Sequence, residues 1–160
     1  MARKVYFSFH FKRDVLKIGQ IRNSWVLEDG GEAQPFLDAA DWESIKSKGD
    51  PAVQKWIDDQ MKGTSVTVVL IGAETYSRPW VKYEIKQSHN LGKGMLGIDM
   101  YGMKDLNGKY DSQGVNPFTQ FTFKDSNGNV VTYPIYNWLN DSGRTKMPSW
   151  IEAAAKKAGR

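Results

Sequence analysis

One carboxylate stands out as a candidate for chemistry because the residues around it in the sequence are mostly apolar. Glu84 follows Ser77 and Trp80, soon after the apolar run 66–71. If a helix begins near Pro79, Trp80 and Glu84 lie on one stripe of that helix. A carboxylate beside an apolar helix face is costly unless it has a partner or a function. Glu84 is therefore predicted to take part either in a structural ion pair or in a reaction.

A second group of polar and aromatic residues follows from the first predicted strand, 4–9, which is rich in aromatic and β-branched residues. The side chains of this group that could border a binding site are Ser8, Phe9, His10, Arg13 and Asp14. Segment 10–13 is expected to be a polar turn, and Asp14 is well placed to cap a helix that runs to about residue 27. Arg22 lies on the apolar stripe of that helix, where its guanidinium could reach solvent or pair with a carboxylate or phosphate.

The apolar pattern predicts how these two groups come together. Residues 64–71 are β-branched or apolar on both faces, which is typical of a central strand in a parallel sheet. The element order β-α-β-α-β-α-β, then a hairpin and a terminal helix, indicates a flavodoxin-like three-layer α/β sandwich with strand order 2-1-3-4-5. In such sheets, ligands bind at the carboxyl ends of the strands beside the switch point. Loops 10–14 and 72–80 are expected there, with Glu84 one turn into the following helix.

The remaining elements complete one predicted domain over residues 1–160, with a core at about 3–101 and a loop, hairpin and helix at 102–160. Trp25 and Trp56 are assigned to the core faces of their helices. The other predicted elements are a second strand at 35–39, helices at 41–46 and from Asp50 to a stop at Gly63, a fourth strand at 94–101, a hairpin with its turn at 125–128, a last strand or turn at 135–139, and a helix at 150–157 that Pro148 opens.

Composition and motifs exclude several classes of protein. The chain has no cysteine, which excludes a disulfide scaffold, a thiolate metal site and a cysteine nucleophile. It lacks glycine-rich phosphate loops and the G-x-S-x-G motif, and its two histidines, His10 and His89, lack metal-ligand spacing, so no metal is expected. The net charge of +4 forms no basic, aromatic-rich stripe, so no nucleic-acid partner is expected. No apolar run resembles a signal peptide or could span a membrane, so a cytoplasmic protein is expected.

What remains is a cleft that combines a carboxylate, aromatic rings and nearby cations, which suits a nucleotide. An aromatic ring such as that of Trp80 can stack on a base, cations can hold phosphates, and Glu84 can bind ribose hydroxyls. A lone carboxylate can also stabilise an oxocarbenium-like centre when an N-glycosidic bond breaks. A flavin sensor has less support, because segment 10–13 lacks the Ser, Thr and Gly residues that cradle a phosphate.

Separate sequence boxes, in order along the chain, resemble those of TIR domains. Residues 7–9 (Phe-Ser-Phe) with Asp14 resemble the first TIR box, and residues 77–84 (Ser-Arg-Pro-Trp-Val-Lys-Tyr-Glu) resemble the Ser-x-x-Trp-x-x-x-Glu box. The closer resemblance is to the TIR-like ThsB proteins of Thoeris anti-phage defence, and it is carried by segments 8–14, 22–25 and 63–72. It runs from residue 3 to about residue 101.

The resemblance implies an NAD glycohydrolase or ADP-ribosyl cyclase that cleaves the nicotinamide–ribose bond of NAD and makes a cyclic ADP-ribose isomer as an immune signal. It implies that Glu84 is catalytic and that the substrate site includes Ser8, Phe9, His10, Arg13, Asp14, Ser77 and Trp80. NAD is then the substrate, with no further cofactor. Expected partners are an effector reached through the diffusible signal, a phage-derived trigger and other copies of the chain. Val81 stands where many TIR domains have Cys, so roles that rest on that Cys do not transfer.

The alternative is a non-enzymatic TIR module that works through protein association. A large exposed apolar patch, together with a Glu84 that is salt-bridged to Arg22 or Lys82 away from any pocket, would favour that module. A carboxylate on the cleft side of the fold would favour the enzyme.

Overall fold

A five-stranded parallel sheet forms the middle layer of the protein, with strand order β2-β1-β3-β4-β7. The computed structural model describes residues 3–35, 37, 39–104 and 107–160, and for residues 11–13, 15, 16 and 39 it describes the backbone alone. The strands are β1 (Lys4–Ser8), β2 (Glu32–Ala33), β3 (Val66–Ile71), β4 (Gly94–Asp99), β5 (Phe123–Lys124), β6 (Val130–Val131) and β7 (Ile135–Asn137).

The position of β3 confirms the predicted fold class. All six residues of β3 are buried, and the strand pairs with β1 on one side and β4 on the other. Parallel strands buried on both faces need helices above and below them, which accounts for the apolar run in the sequence. The observed order is the flavodoxin-like order 2-1-3-4-5, with β7 as the fifth strand of the sheet.

Helices cover both faces of this sheet. They are α1 (Phe11–Asn23), which continues as a π-helix over Ser24–Glu28, α2 (Ala39–Ser47), α3 (Asp50–Met61), α4 (Pro79–Asn90) and α5 (Gly143–Lys157), with 3-10 turns at Thr75–Ser77 and Pro117–Gln120. The apolar side chains of α1 and α5 share one buried cluster. Those of α3 and α4 pack in separate clusters with the alternate residues of β1 and β3. None of the helices in the described part of the chain has the length and apolar character that a membrane span requires.

Strand alternation in β1 sets the chemistry of the α3/α4 face. Val5 and Phe7 belong to the cluster that includes α1 and α5, whereas Tyr6 packs with α3. Because successive side chains of a strand point to opposite faces, Ser8 shares the face of Tyr6. Two hydroxyl groups of β1 therefore lie under α3 and α4.

The predicted hairpin after residue 120 is confirmed, although it is short. Strands β5 and β6 pair antiparallel, and Gly128 has the positive φ of 80° that the turn between them requires. The carboxylate of Asp125 accepts hydrogen bonds from the backbone N–H groups of Asn127 and Asn129. Phe123 packs with Phe118 against the α4 side of the sheet, so the hairpin covers part of that face.

The start of α1 differs from the prediction. The helix begins at Phe11 and His10 is its N-cap residue, so the predicted turn 10–13 is largely helical and Asp14 lies in the first turn instead of capping it. Asp14 is buried, and a Cβ atom added at Gly72 would overlap its carboxylate. Asp14 thus lies against the loop after β3, a contact that local helix-capping rules do not consider.

Two further elements were predicted at the wrong residues. The second strand is Glu32–Ala33, which pairs with Lys4 and Val5 at the sheet edge; the predicted range 35–39 lies beyond it and includes positions 36 and 38, which are outside the described residues. A two-residue edge strand leaves little periodic signal. Helix α5 begins at Gly143, and Pro148 lies inside it. Ser142 provides the start, with a left-handed φ of 56° that redirects the chain into the helix.

Candidate active site

Helix α4 carries Glu84 to the sheet. The helix begins at Pro79, as predicted, because Pro fits the first turn, where no intrahelical N–H bond is lost. The buried residues of α4 are Val81, Glu84, Ile85 and Ser88. This spacing is that of the inward stripe of a helix, so Glu84 faces the sheet, and its residue is only 6 % exposed.

Two hydroxyl groups of β1 hold the carboxylate of Glu84. Ser8 Oγ donates to Oε1 over 2.8 Å, and the phenol of Tyr6 donates to Oε2. Among the described side chains, none forms an ion pair with Glu84: Lys82 is exposed, and Arg22 donates from Nη2 to the backbone oxygen of Gln34 over 2.9 Å. The ion-pair explanation for Glu84 is therefore wrong for Lys82 and Arg22.

Burial shifts the pKa values of both Glu84 and Tyr6. Burial raises the pKa of Glu84 from 4.5 to about 7, against the opposing effects of the hydrogen bonds from Tyr6 and Ser8 and the positive charge of Lys93. Burial, with the negative charge of Glu84, also raises the pKa of Tyr6 well above its usual value of 10.0. Tyr6 therefore remains a hydrogen-bond donor at neutral pH, while Glu84 is divided between the acid and the carboxylate.

Glu84 lies in the wall of a small, mostly aromatic cavity of about 50 Å³. Its other lining residues are Tyr6, Phe7, Phe9, Gln34, Pro35, Leu37, Trp42, Trp56 and Trp80. Ligand pockets usually enclose roughly 300–1,000 Å³. The cavity thus has room for a few water molecules, and a nucleotide requires it to widen. Its chemistry is that of a ring-binding slot with one carboxylate in its wall.

The family follows from comparison with known proteins. The family model of the Thoeris protein ThsB, TIR-like domain, matches residues 6–105. The chain belongs to the ThsB family. A relative from Bacillus cereus (strain MSX-D12), named "Putative cyclic ADP-D-ribose synthase ThsB1", is 31 % identical over 94 % of this chain and 100 % of its own length. The solved structure of the Clostridium botulinum CMP N-glycosidase BcmB is 14 % identical, with a TM-score of 0.46, over 94 % of this chain and 97 % of that one.

The fold of this ThsB-family chain brings together some of the predicted site residues. Phe9, Trp80 and Glu84 line the cavity, and Ser8 supports it through its hydrogen bond to Glu84. His10 is partly buried at the start of α1, immediately after the strand end.

Three other predicted site residues lie apart from the cavity lining or outside the description. Ser77 is exposed and its Oγ donates to the backbone oxygen of Glu74 over 3.0 Å, which is a local turn contact. Asp14 is buried beside Thr75, whose Oγ1 lies 3.5 Å from Asp14 Oδ2. The side chain of Arg13 is outside the described residues.

Sequence reasoning missed several residues of the site. Tyr6 could have been found from strand alternation, since it lies two residues before Ser8 and shares its face. Gln34 had no local signal: its side chain bonds both the N–H and the C=O of Phe7, at 2.9 and 2.6 Å, and so replaces a strand neighbour of β1. Trp42 also lines the cavity. Trp56 was assigned to the core, yet the two rings meet edge to face at 6.0 Å and both line the cavity.

Proposed function

We propose that this ThsB-family protein cleaves the nicotinamide–ribose bond of NAD, with Glu84 as the catalytic carboxylate, and forms a cyclic ADP-ribose isomer. The observation that carries the proposal is the place of Glu84: a buried carboxylate, held by two hydroxyl groups, in the wall of an aromatic cavity. The printed name of the Bacillus cereus relative, a cyclic ADP-D-ribose synthase described as putative, supports the same chemistry.

In the proposed reaction, the bond between C1′ of the ribose and the nicotinamide nitrogen breaks, and nicotinamide leaves with the bonding electron pair. A positive charge then develops at C1′ and the ring oxygen. The ionised carboxylate of Glu84 stabilises that charge most effectively because it acts in a site that excludes most water. A hydroxyl of the same molecule, or water, then attacks C1′ and loses its proton.

Glu84 has enough hydrogen-bonding capacity for this role. A carboxylate offers about four lone-pair positions, and Tyr6 and Ser8 use one each. The remaining positions can accept hydrogen bonds from the hydroxyl groups of the nicotinamide-side ribose. Trp80, one helical turn before Glu84, provides an aromatic wall for the nicotinamide ring.

The size of the cavity supports a protein that must be activated. At about 50 Å³ it cannot hold a nicotinamide riboside unit without widening. We propose that a phage-derived trigger favours the widened state, so that NAD is consumed only during infection. The cyclic product would act as a diffusible signal to an effector in the cytoplasm, and other copies of the chain could assist activation.

In the part of the chain that the structure describes, no specific observation favours the non-enzymatic alternative. A module that used Glu84 structurally would pair it with a cation away from any pocket. Instead, Glu84 faces a cavity and has hydroxyl partners.

Chromatography of NAD reactions tests the proposal. Wild type, Glu84→Gln and the surface control Glu43→Gln are each incubated with NAD and an extract of phage-infected cells. We expect wild type and the control to release nicotinamide, and Glu84→Gln to release at least 100-fold less. Equal NAD turnover by activated wild type and Glu84→Gln would show that Glu84 is not the catalytic carboxylate.

A further inference from the structure

A buried lysine lies on the same face of the sheet as Glu84. Lys93 precedes β4, and its residue is only 3 % exposed. Its Nζ donates to Thr67 Oγ1 over 2.7 Å and lies 5.6 Å from the centre of the Tyr6 ring. Among the described residues, no carboxylate forms an ion pair with this ammonium group. Such a charge is costly to bury, and a methionine would fill the same space without that cost.

Hydroxyl groups connect Lys93 with Glu84. Thr67 Oγ1, which accepts the bond from Lys93, lies 2.6 Å from Ser88 Oγ. Ser88 Oγ in turn donates to the backbone oxygen of Glu84 over 2.7 Å. On the other side of Lys93, Tyr6 presents its ring to the ammonium and its hydroxyl to the Glu84 carboxylate. The positive and negative groups are therefore the two ends of one buried polar cluster.

We propose that Lys93 is a positioning residue for Glu84, and that its ammonium group favours the ionised form of the carboxylate that the reaction needs. The inference rests on the proposed function for its role in catalysis, although the interaction itself is independent of activity. Opposite charges favour each other's charged form most strongly where water is excluded. The hydrogen bond to Thr67 orients the ammonium toward the cluster.

The other charged and titratable groups around the cluster are few. Tyr6 of β1 bonds Glu84, and Asp58 of α3 acts on Tyr6 and accepts from Tyr83 on α4. Arg160 acts on Lys93 from the C-terminus. The pKa of Lys93 is lowered from 10.5 to about 7, chiefly by burial and also by the positive charge of Arg160, while the negative charge of Glu84 opposes both. Among the described residues, Lys93 is the cation whose charge lowers the pKa of Glu84.

The test compares Lys93→Met with Lys82→Met, which removes an exposed lysine of α4. The titration of the Glu84 carboxyl is followed by carbon-13 NMR, with Glu84→Gln used to assign the signal. We expect Lys93→Met to raise the midpoint by about one pH unit, and Lys82→Met to leave it within about 0.2 unit. In the activated enzyme, the acidic side of the pH profile for the rate of nicotinamide release should move to higher pH by the same amount in Lys93→Met. The KM for NAD should stay unchanged.

An unchanged Glu84 midpoint in Lys93→Met would overturn the inference, even if the protein cleaves NAD. A shifted midpoint in a protein that releases no nicotinamide even with the extract of phage-infected cells would support the interaction and refute the proposed function, so the two failures are distinguishable. Lys93→Met should fold, because replacing a buried charge by an apolar side chain of similar size is often neutral or stabilising. If it does not fold, Thr67→Val frees the ammonium and should raise the midpoint in the same direction; no shift there would also overturn the inference.

Discussion

Tyr6 donates its phenol hydrogen to the carboxylate of Glu84, which lies 78 residues further along the chain. Tyr6 is in the middle of β1 and Glu84 is in the second turn of α4, so their contact forms only when α4 docks on the sheet. Both partners lie on regular elements whose positions are fixed by core packing. A carboxylate supported in this way keeps its orientation before any ligand binds.

Replacing Tyr6 by Phe tests this support. The change removes one hydrogen bond to the charged form of Glu84 and keeps the ring in the core. Because that bond opposes the upward shift, we expect the pKa of Glu84 to rise by about one unit. At pH 7, nicotinamide release should fall about fivefold and recover as the pH increases. A pH profile of the activated enzyme between pH 5 and 9 measures both effects.

Tyr83→Phe is the matched control for that variant. Tyr83 is a partly buried tyrosine whose phenol also donates to a carboxylate. That carboxylate belongs to Asp58, at 2.6 Å, and not to Glu84. We expect its pH profile to match that of wild type. If the two variants shift the profile equally, the hydrogen bond to Glu84 is not the cause.

The stability of the protein should also depend on Glu84 and pH. The pKa of Glu84 is about 7 in the folded protein, above its usual 4.5, so between these values the folded state binds a proton that the unfolded chain has released. Its contribution to stability is complete below about pH 4.5 and is lost as the pH rises through about 7. At 1.36 kcal/mol per unit, the loss is at most about 3 kcal/mol.

Denaturant unfolding of wild type and Glu84→Gln at pH 5, 6, 7 and 8 measures this loss. Glutamine cannot ionise, so the free energy of unfolding of the variant, relative to wild type, should increase from pH 5 to about pH 7 and then level off. Glu43→Gln, on the surface, should follow wild type. Parallel curves for wild type and Glu84→Gln would mean that the carboxylate is not destabilised by burial.

Trp80 and Ser77 should differ sharply, although both belong to the same sequence box. Trp80 lines the cavity, whereas Ser77 is exposed and bonded within its turn. We expect Trp80→Ala to raise KM for NAD about 10-fold, as the loss of a stacking ring typically does. Ser77→Ala should stay within about twofold of wild type. Initial rates of nicotinamide release over a range of NAD concentrations give both values, and equal KM values would exclude Trp80 from the substrate site.

Much of the fold could be predicted because its signals are local and strong. The apolar run of β3 identified the centre of a parallel sheet, and Pro79 fixed the start of α4. Together they determine where Glu84 lies relative to the sheet. The strand order then followed from the general rules for parallel α/β folds.

The partners of Glu84 could not be predicted in the same way, because they depend on contacts between distant elements. Strand alternation in β1 shows that Tyr6 and Ser8 share a face, but it does not show which helix covers that face. The side chain of Gln34 bonds the backbone of β1 as the backbone of a neighbouring strand would, and no periodic pattern in the sequence indicates such a contact. Trp56 has the spacing of a core residue, and only the packing of α2 against α3 makes it part of a cavity wall.

The release of nicotinamide from NAD by activated wild type and Glu84→Gln is the most direct measurement of the central claim. The account predicts rapid release by wild type, a cyclic ADP-ribose isomer in the product by mass spectrometry, and at least 100-fold slower release by a Glu84→Gln variant that is as stably folded. Turnover of NAD at equal rates by the two proteins would contradict it.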